Sequence, residues 1–231
     1  MSLLFDLPDP PSLPVNGEDA RFPVHRIFCV GRNYADHARE MGLSPTKDSP
    51  IYFTKSPAAV CASGATISYP LHTENCHYEM ELVAAIGAPA FRIAEDKALS
   101  AVFGYGCGLD MTRRDLQAMA RDGRTPWDTA KDFENSGVLA AITRADTFGI
   151  PDKQRIVLTQ NGELRQDARI SDMIWSVPEL IADLSTYYHL VPGDLIYTGT
   201  PAGVGPVAPG DRLEGTIDGL EPISLTIGDA E

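Results

Sequence analysis

The 231-residue chain is 43% hydrophobic and 22% charged, the composition of a soluble globular domain large enough to bury a real core. Its formal charge of -13 argues against nucleic-acid binding, which needs a basic face, and against an anionic membrane surface as partner. A small anionic substrate stays open, because that depends on local arginines and lysines.

Residues 1 to about 20 carry Pro8, Pro10, Pro11 and Pro14, which predicts an extended arm with little structure of its own. Residues 21–231 show no internal repeat and no further boundary, so a single domain is expected there. The first residues hold neither a basic n-region nor a long apolar run, so no signal peptide or membrane span is expected and the expected compartment is the cytoplasm. Ile27-Phe28-Cys29-Val30, closed by Gly31, reads as the first core strand. Arg32 to Gly42 reads as a short helix capped by Asn33 and stopped by Gly42. His37 and Glu40 lie three apart and share a face of it. A carboxylate beside an imidazole orients it and raises its basicity, which builds a general base; the same spacing also describes a solvent-facing ion pair. The polar, Pro-bounded stretch 43–50 reads as a mobile loop that forms a lid with this helix. A strand follows and ends at Lys55.

The stretch HYEMELVA, 77 to 84, reads as the entry of a buried strand that Gly87 ends. Glu79 and Glu81 are two apart, so on a strand their carboxylates point to one face. Like charges placed side by side raise each other's proton affinity unless a cation lies between them. The pair describes a divalent-metal site or a solvated strand end. Gly104, Gly106 and Gly108 alternate in the next strand, leaving one face free for close approach by backbone or ligand. That strand ends at Asp110, where it hands over to a helix, a rigid place for a ligand. Thr112 and Asp115 suggest a capping box for that helix, which runs to about Arg121. Trp127 and Phe133 flank Lys131 as expected packing anchors. Gln160-Asn161-Gly162 predicts a hairpin turn. Ser176 and Glu179 suggest a second capping box, opening the longest helix, with Leu180, Ile181, Leu184, Tyr187 and Tyr188 at helical spacing and Pro192 as its stop. The loop TGTPAGVGP lacks the G-K-[ST] ending of a nucleotide-binding P-loop but can offer N–H groups to a carboxylate. Cys29, Cys61, Cys76 and Cys107 have no C-x-x-C spacing and read as buried free thiols. Many short strands, few helices and no βαβ rhythm predict a mostly β (α+β) domain of mixed sheets.

Several stretches together resemble the fumarylacetoacetate hydrolase superfamily: VGRNYADHAREMG, FTKSPAAV, HYEMELVAAIG, GLDMTRRDLQ, AKDF, and SDMIWSVPELIADLS running into VPGDLIYTGTPAGVG. The resemblance covers roughly residues 25 to 228 with the motifs in order. It implies a β-roll of mixed sheets with a few marginal helices, usually a homodimer. It implies a Mg²⁺ or Mn²⁺ ion held by Glu79, Glu81 and Asp110. It implies catalytic roles for His37 and Glu40 on a lid helix and for Lys131 of the K-x-F motif. Gln117 of the R-D-x-Q motif and Gly199 and Thr200 of T-G-T-P would meet the substrate. Arg32, Lys55 and Arg114 are the candidates for its distal carboxylate. The pattern departs from common variants at Leu109, where many members have Asn, and at Glu134, where many have Asp; both are expected to alter pocket polarity.

An all-oxygen ligand set suits a hard cation such as Mg²⁺ or Mn²⁺ better than zinc. The N-terminal stretch through residue 42, with TRRDLQ and GRTPWDTAK, is most similar to the bacterial members that hydrolyse fumarylpyruvate in gentisate catabolism. The expected reaction is therefore cleavage of the carbon–carbon bond of an acylpyruvate, 3-fumarylpyruvate giving fumarate and pyruvate. The alternatives are another acylpyruvase, an oxaloacetate decarboxylase, or an isomerase or decarboxylase of a 2-oxo diacid. The expected partner is thus a small 2-oxo diacid.

Overall fold

A computed structural model describes residue 4, residues 8–42, residue 44 and residues 46–231. The elements that position the site are, in chain order, β1 (Arg26–Gly31), α1 (Ala35–Glu40), β2 (Ile51–Lys55), β3 (Val60–Ala62), β4 (Met80–Ile86), β5 (Val102–Asp110), α2 (Arg114–Gly123), β6 (Gly137–Leu139), α3 (Val177–Tyr187) and β7 (Asp194–Tyr197). The central eight-stranded sheet runs β2-β1-β7-β4-β5-β6-β3, with Thr143–Arg144 also pairing β5. The pairs β7–β1 and β6–β3 are parallel and the others antiparallel. A second, five-stranded sheet joins Glu163–Arg169, Arg155–Gln160, Arg212–Ile217, Ile223–Ala230 and Thr66–Tyr69. The architecture is the mostly β, mixed-sheet domain that the strand pattern predicts, and its curled sheets are the roll that the family resemblance implies.

The continuous apolar run of β4 has a physical cause. Leu82, Ala84 and Ile86 enter one core, while Val83 and Ala85 enter another on the opposite face. A strand buried on both faces needs no polar alternation. The second core also accounts for the N-terminal segment. Ser12–Pro14 and Arg21–Pro23 pair as an antiparallel hairpin, and Leu13, Val15, Phe22 and Val24 pack beside Ile27, Val83 and Leu195. From Ser12 onward the expected arm is thus a folded cover for the sheet, and a boundary at residue 20 falls inside the hairpin. Residues 1–3 and 5–7 of that arm lie outside the described residues, as do Leu43 and Pro45 of the expected loop at 43–50.

The alternating glycines of β5 admit protein, not ligand. A Cβ on Gly104 would lie 2.4 Å from Thr143 O, and one on Gly108 would lie 2.5 Å from Val83 Cγ2 and 2.8 Å from Tyr197 Cε1. The Asn161-Gly162 turn closes its hairpin with both residues left-handed, at φ 55° and 79°. Helix α3 starts as expected, with the Glu179 carboxylate accepting from Ser176 N and Oγ. Its stripe differs at the end: Leu180, Ile181 and Leu184 are buried, whereas Tyr187 and Tyr188 are exposed.

Two expected caps are used otherwise. Helix α1 begins at Ala35, one residue past Tyr34, and the Asn33 side chain does not cap it. Asn33 Nδ2 donates to the carbonyls of Trp175 and Thr198, 2.8 Å each, and Oδ1 accepts from Trp175 N at 2.7 Å. Asp115 lies in the first turn of α2 and accepts from Thr73 Oγ1 and Glu74 N instead of closing a box with Thr112. Among the cysteines, Cys29, Cys76 and Cys107 are buried free thiols and Cys61 is half-buried. No helix among the described residues is long and apolar enough to cross a membrane.

Candidate active site

The register of β4 and β5 builds the acidic cluster. Met80 pairs with Leu109 and Glu81 with Gly108, so Glu79 lies across from Asp110, whose N–H donates to Glu79 O at 2.9 Å. Residues 79 and 81 share a face, and cross-strand partners share it too. The three carboxylates accordingly converge, each offering an oxygen within 4.8 Å of the others, and all three side chains are buried. Gly108 matters here because Val83 and Tyr197 occupy the space above it on that face.

Three cations balance the cluster unevenly. Lys131 Nζ donates to Glu79 Oε2, Asp110 Oδ2 and Thr112 Oγ1, each at 2.7 Å. Arg114 Nη2 donates to Glu79 Oε1 at 2.5 Å. Lys55 Nζ lies 2.8 Å from Asp110 Oδ1 and donates to Ser136 Oγ and to the carbonyls of Met111 and Lys131. Burial pushes the Glu79 carboxyl up, but Lys131, Arg114 and His37 outweigh it and hold it below the usual carboxylate range. Glu81 accepts the Gly199 N–H, at 2.7 Å. Burial, then the charges of Asp110 and Glu79, push its proton affinity well above normal. Among the described residues Glu81 is the ligand-type carboxylate without a cationic side chain, so the cluster accommodates a further cation at that corner. Its three oxygen donors fit a hard divalent ion.

Facing the cluster, α1 brings His37 to the same cavity. His37 Nδ1 lies 3.1 Å from Glu40 Oε2, as the i, i+3 spacing predicts. Glu40 is in turn held by the Gly203 N–H, 3.1 and 3.3 Å from its two oxygens. Residue 203 has φ +96°, and a Cβ there would lie 2.1 Å from Arg165 O, so this position requires glycine. The glycine-rich loop does present N–H groups to carboxylates, and both belong to the protein itself.

The cavity is lined by His37, Glu79, Glu81, Arg114, Lys131 and Thr200, together with Arg32 and Gln117. Thr200 Oγ1 donates to Met80 O, and Gly199 serves through its backbone. Lys55 is a correction: its ammonium is buried beneath Asp110, in a layer that the cavity does not reach, and cannot meet a distal carboxylate. Leu109 and Glu134 are corrections too. Leu109 points into the opposite core and Glu134 into solvent, so neither departure alters the cavity. Phe133 is the buried packing anchor expected, whereas Trp127 lines the cavity beside Phe53. Met41 and Arg121 also line it and were not singled out by sequence. For Arg121 a signal existed, since Arg114, Gln117, Ala118 and Arg121 recur at one-face helical spacing.

A β-roll that buries three acids at the foot of a cavity, with a histidine–carboxylate pair across from them, defines a class of metal-assisted enzymes acting on small acids. Residues 26–227 match the family described as Fumarylacetoacetate (FAA) hydrolase C-terminal. The chain belongs to the fumarylacetoacetate hydrolase family. It is 54% identical over 181 residues to a fumarylpyruvate hydrolase of Ralstonia sp, covering 78% of this chain and 94% of that protein. It is 40% identical over 199 residues to an oxaloacetate tautomerase of Escherichia coli (strain K12), covering 86% and 90%. Its fold superposes on a crystal structure of fumarylpyruvate hydrolase from Pseudomonas aeruginosa in complex with Mn²⁺ and pyruvate. The TM-score is 0.96 at 46% identity, over 99% of this chain and 100% of that one.

Proposed function

We propose that this protein is a metal-dependent hydrolase that cleaves the carbon–carbon bond of an acylpyruvate, converting 3-fumarylpyruvate and water to fumarate and pyruvate. The observation that carries the reading is the buried Glu79–Glu81–Asp110 cluster and the His37–Glu40 pair on one cavity. The likeness to fumarylpyruvate hydrolases along nearly the whole chain supports the substrate.

Glu79, Glu81 and Asp110 hold Mn²⁺ or Mg²⁺. A bound divalent ion supplies Lewis-acid stabilisation to negative charge developing on the 2-oxo acid. Glu40 accepts from His37 Nδ1, which leaves Nε2 as the nitrogen free to take a proton. Water loses that proton to His37 and adds to the acyl carbonyl of the substrate. The carbon–carbon bond then breaks, its electron pair passes to the pyruvate fragment as an enolate, and the proton held by His37 is available to quench it. Lys131 helps keep Glu79 ionised, and the Asp110 and Glu79 charges in turn keep its own ammonium protonated against the opposing effect of burial.

The test is a panel of 2-oxo acids assayed with Mn²⁺ and with Mg²⁺, with products read by NMR. Fumarate and pyruvate in equal amounts are expected from fumarylpyruvate. The E. coli relative favours a second reading, in which the same site interconverts keto and enol forms of oxaloacetate. Intact fumarylpyruvate with fast oxaloacetate tautomerisation would establish that reading instead.

A further inference from the structure

Helix α2 presents Arg114, Gln117, Ala118 and Arg121 on one face, and all four line the cavity. Arg114 marks the inner end through its contact with Glu79. Arg121 lies seven residues further, about 10 Å along the helix axis, toward solvent. That is the reach of an extended diacid chain of six or seven carbons. Arg32 meets the same cavity from the end of β1, with a left-handed backbone at φ 62° that few non-glycine residues adopt. The rings of Phe53 and Trp127, 5.8 Å apart, line the same cavity and offer an apolar surface to a carbon chain.

The charges at the mouth are unmatched. Among the described residues no carboxylate forms an ion pair with Arg32, and Arg121 touches only the exposed side chain of its neighbour Asp122, at 3.2 Å. Burial and then the nearby charge of Arg121 make Arg32 a weaker base than usual, so the two guanidiniums feel each other. Two cations facing one cavity repel until an anion joins them, and a guanidinium matches a carboxylate in geometry and charge.

We propose that Arg32 and Arg121 together bind the second carboxylate of the substrate and select dicarboxylic over monocarboxylic 2-oxo acids. The inference rests on the proposed function only in placing the 2-oxo acid at the metal end. The test is calorimetric binding of 2-oxoheptanedioate and 2-oxoheptanoate to the Mn²⁺-loaded protein. Both lack the 4-oxo group, so neither is cleaved, and they differ only at the distal end. The wild type should prefer the diacid by about tenfold or more. Arg121→Gln should erase most of that preference, the Arg32→Gln/Arg121→Gln double variant all of it, and Arg121→Gln should leave 2-oxoheptanoate affinity within about twofold. Equal wild-type affinities, binding of neither acid, a preference that survives in the double variant, or equal weakening of both acids would overturn the inference. A diacid preference in a protein that leaves fumarylpyruvate uncut would sink the hydrolase reading and leave this one standing.

Discussion

The two walls of the cavity are built from different material. The inner wall is sheet: Glu79, Glu81 and Asp110 sit at the paired ends of β4 and β5, buried and tied by backbone register. The outer wall is helix: α1 has six residues, α2 ten, and the arginines at the mouth are partly exposed. A carboxylate cluster must be held against its own repulsion, which strand pairing on both sides achieves. Recognition of a variable substrate end needs no such rigidity, and helix side chains supply it. The difference suggests that substitutions on the inner wall abolish chemistry, while those at the mouth redirect it.

The largest effect should come from the inner wall. Glu81→Gln should remove Mn²⁺ binding and lower turnover by about 10³-fold or more, since the cluster loses the acid that makes no ion pair among the described residues. Metal titration alongside an assay checks this, and unchanged Mn²⁺ affinity would show that the acids serve some other end. His37→Asn lies across the cavity. It should cut kcat by ~10²–10⁴-fold with Mn²⁺ affinity preserved, and a joint loss of both would erase the distinction between the walls. Gly108→Ala tests the sheet itself. The added methyl must displace Val83 or Tyr197, which should cost about 1–3 kcal/mol in urea unfolding. Asp211, in the second sheet's turn, belongs to neither wall and serves as a control. Burial pushes its carboxyl up, but Asn161, Ala208 N and Gln160 hold it below its usual value. A depressed carboxylate stabilises the fold above the unfolded pKa of about 3.9, and that contribution fades as pH falls through the lower folded value. Asp211→Asn should therefore lower the urea midpoint at pH 7 with no change in kcat, and the gap from wild type should close in acid.

What could be read from sequence was what is local. The Glu79–Glu81 pair, the His37–Glu40 pair and the Asn161-Gly162 turn each depend on residues within three positions, and strand or helix periodicity fixes them. Asp110 needed the β4–β5 register and was supplied by family resemblance. The misreadings have long-range partners. Asn33 bonds Trp175 and Thr198, more than 140 positions away. Asp115 turns back to Thr73, and the proline-bearing segment pairs with Arg21–Pro23 to cover a second core that no local pattern announces. Lys55 is misplaced for the same reason, since its ammonium turns to Asp110, Met111 and Ser136, all more than 50 positions away. A strand end and a helix face look alike in charge, but only the fold decides which reaches the cavity.

The loop from Thr198 to Gly203 touches both walls, through Gly199 N–H on Glu81 and Gly203 N–H on Glu40. Both donors are peptide groups, so a scan that exchanges side chains one at a time is blind to them. Every substitution except proline keeps the donor, and any effect seen at these two glycines would report lost space instead. The chemical counterpart of an alanine scan at this loop is an amide-to-ester exchange in a semisynthetic chain, made separately at each of the two positions.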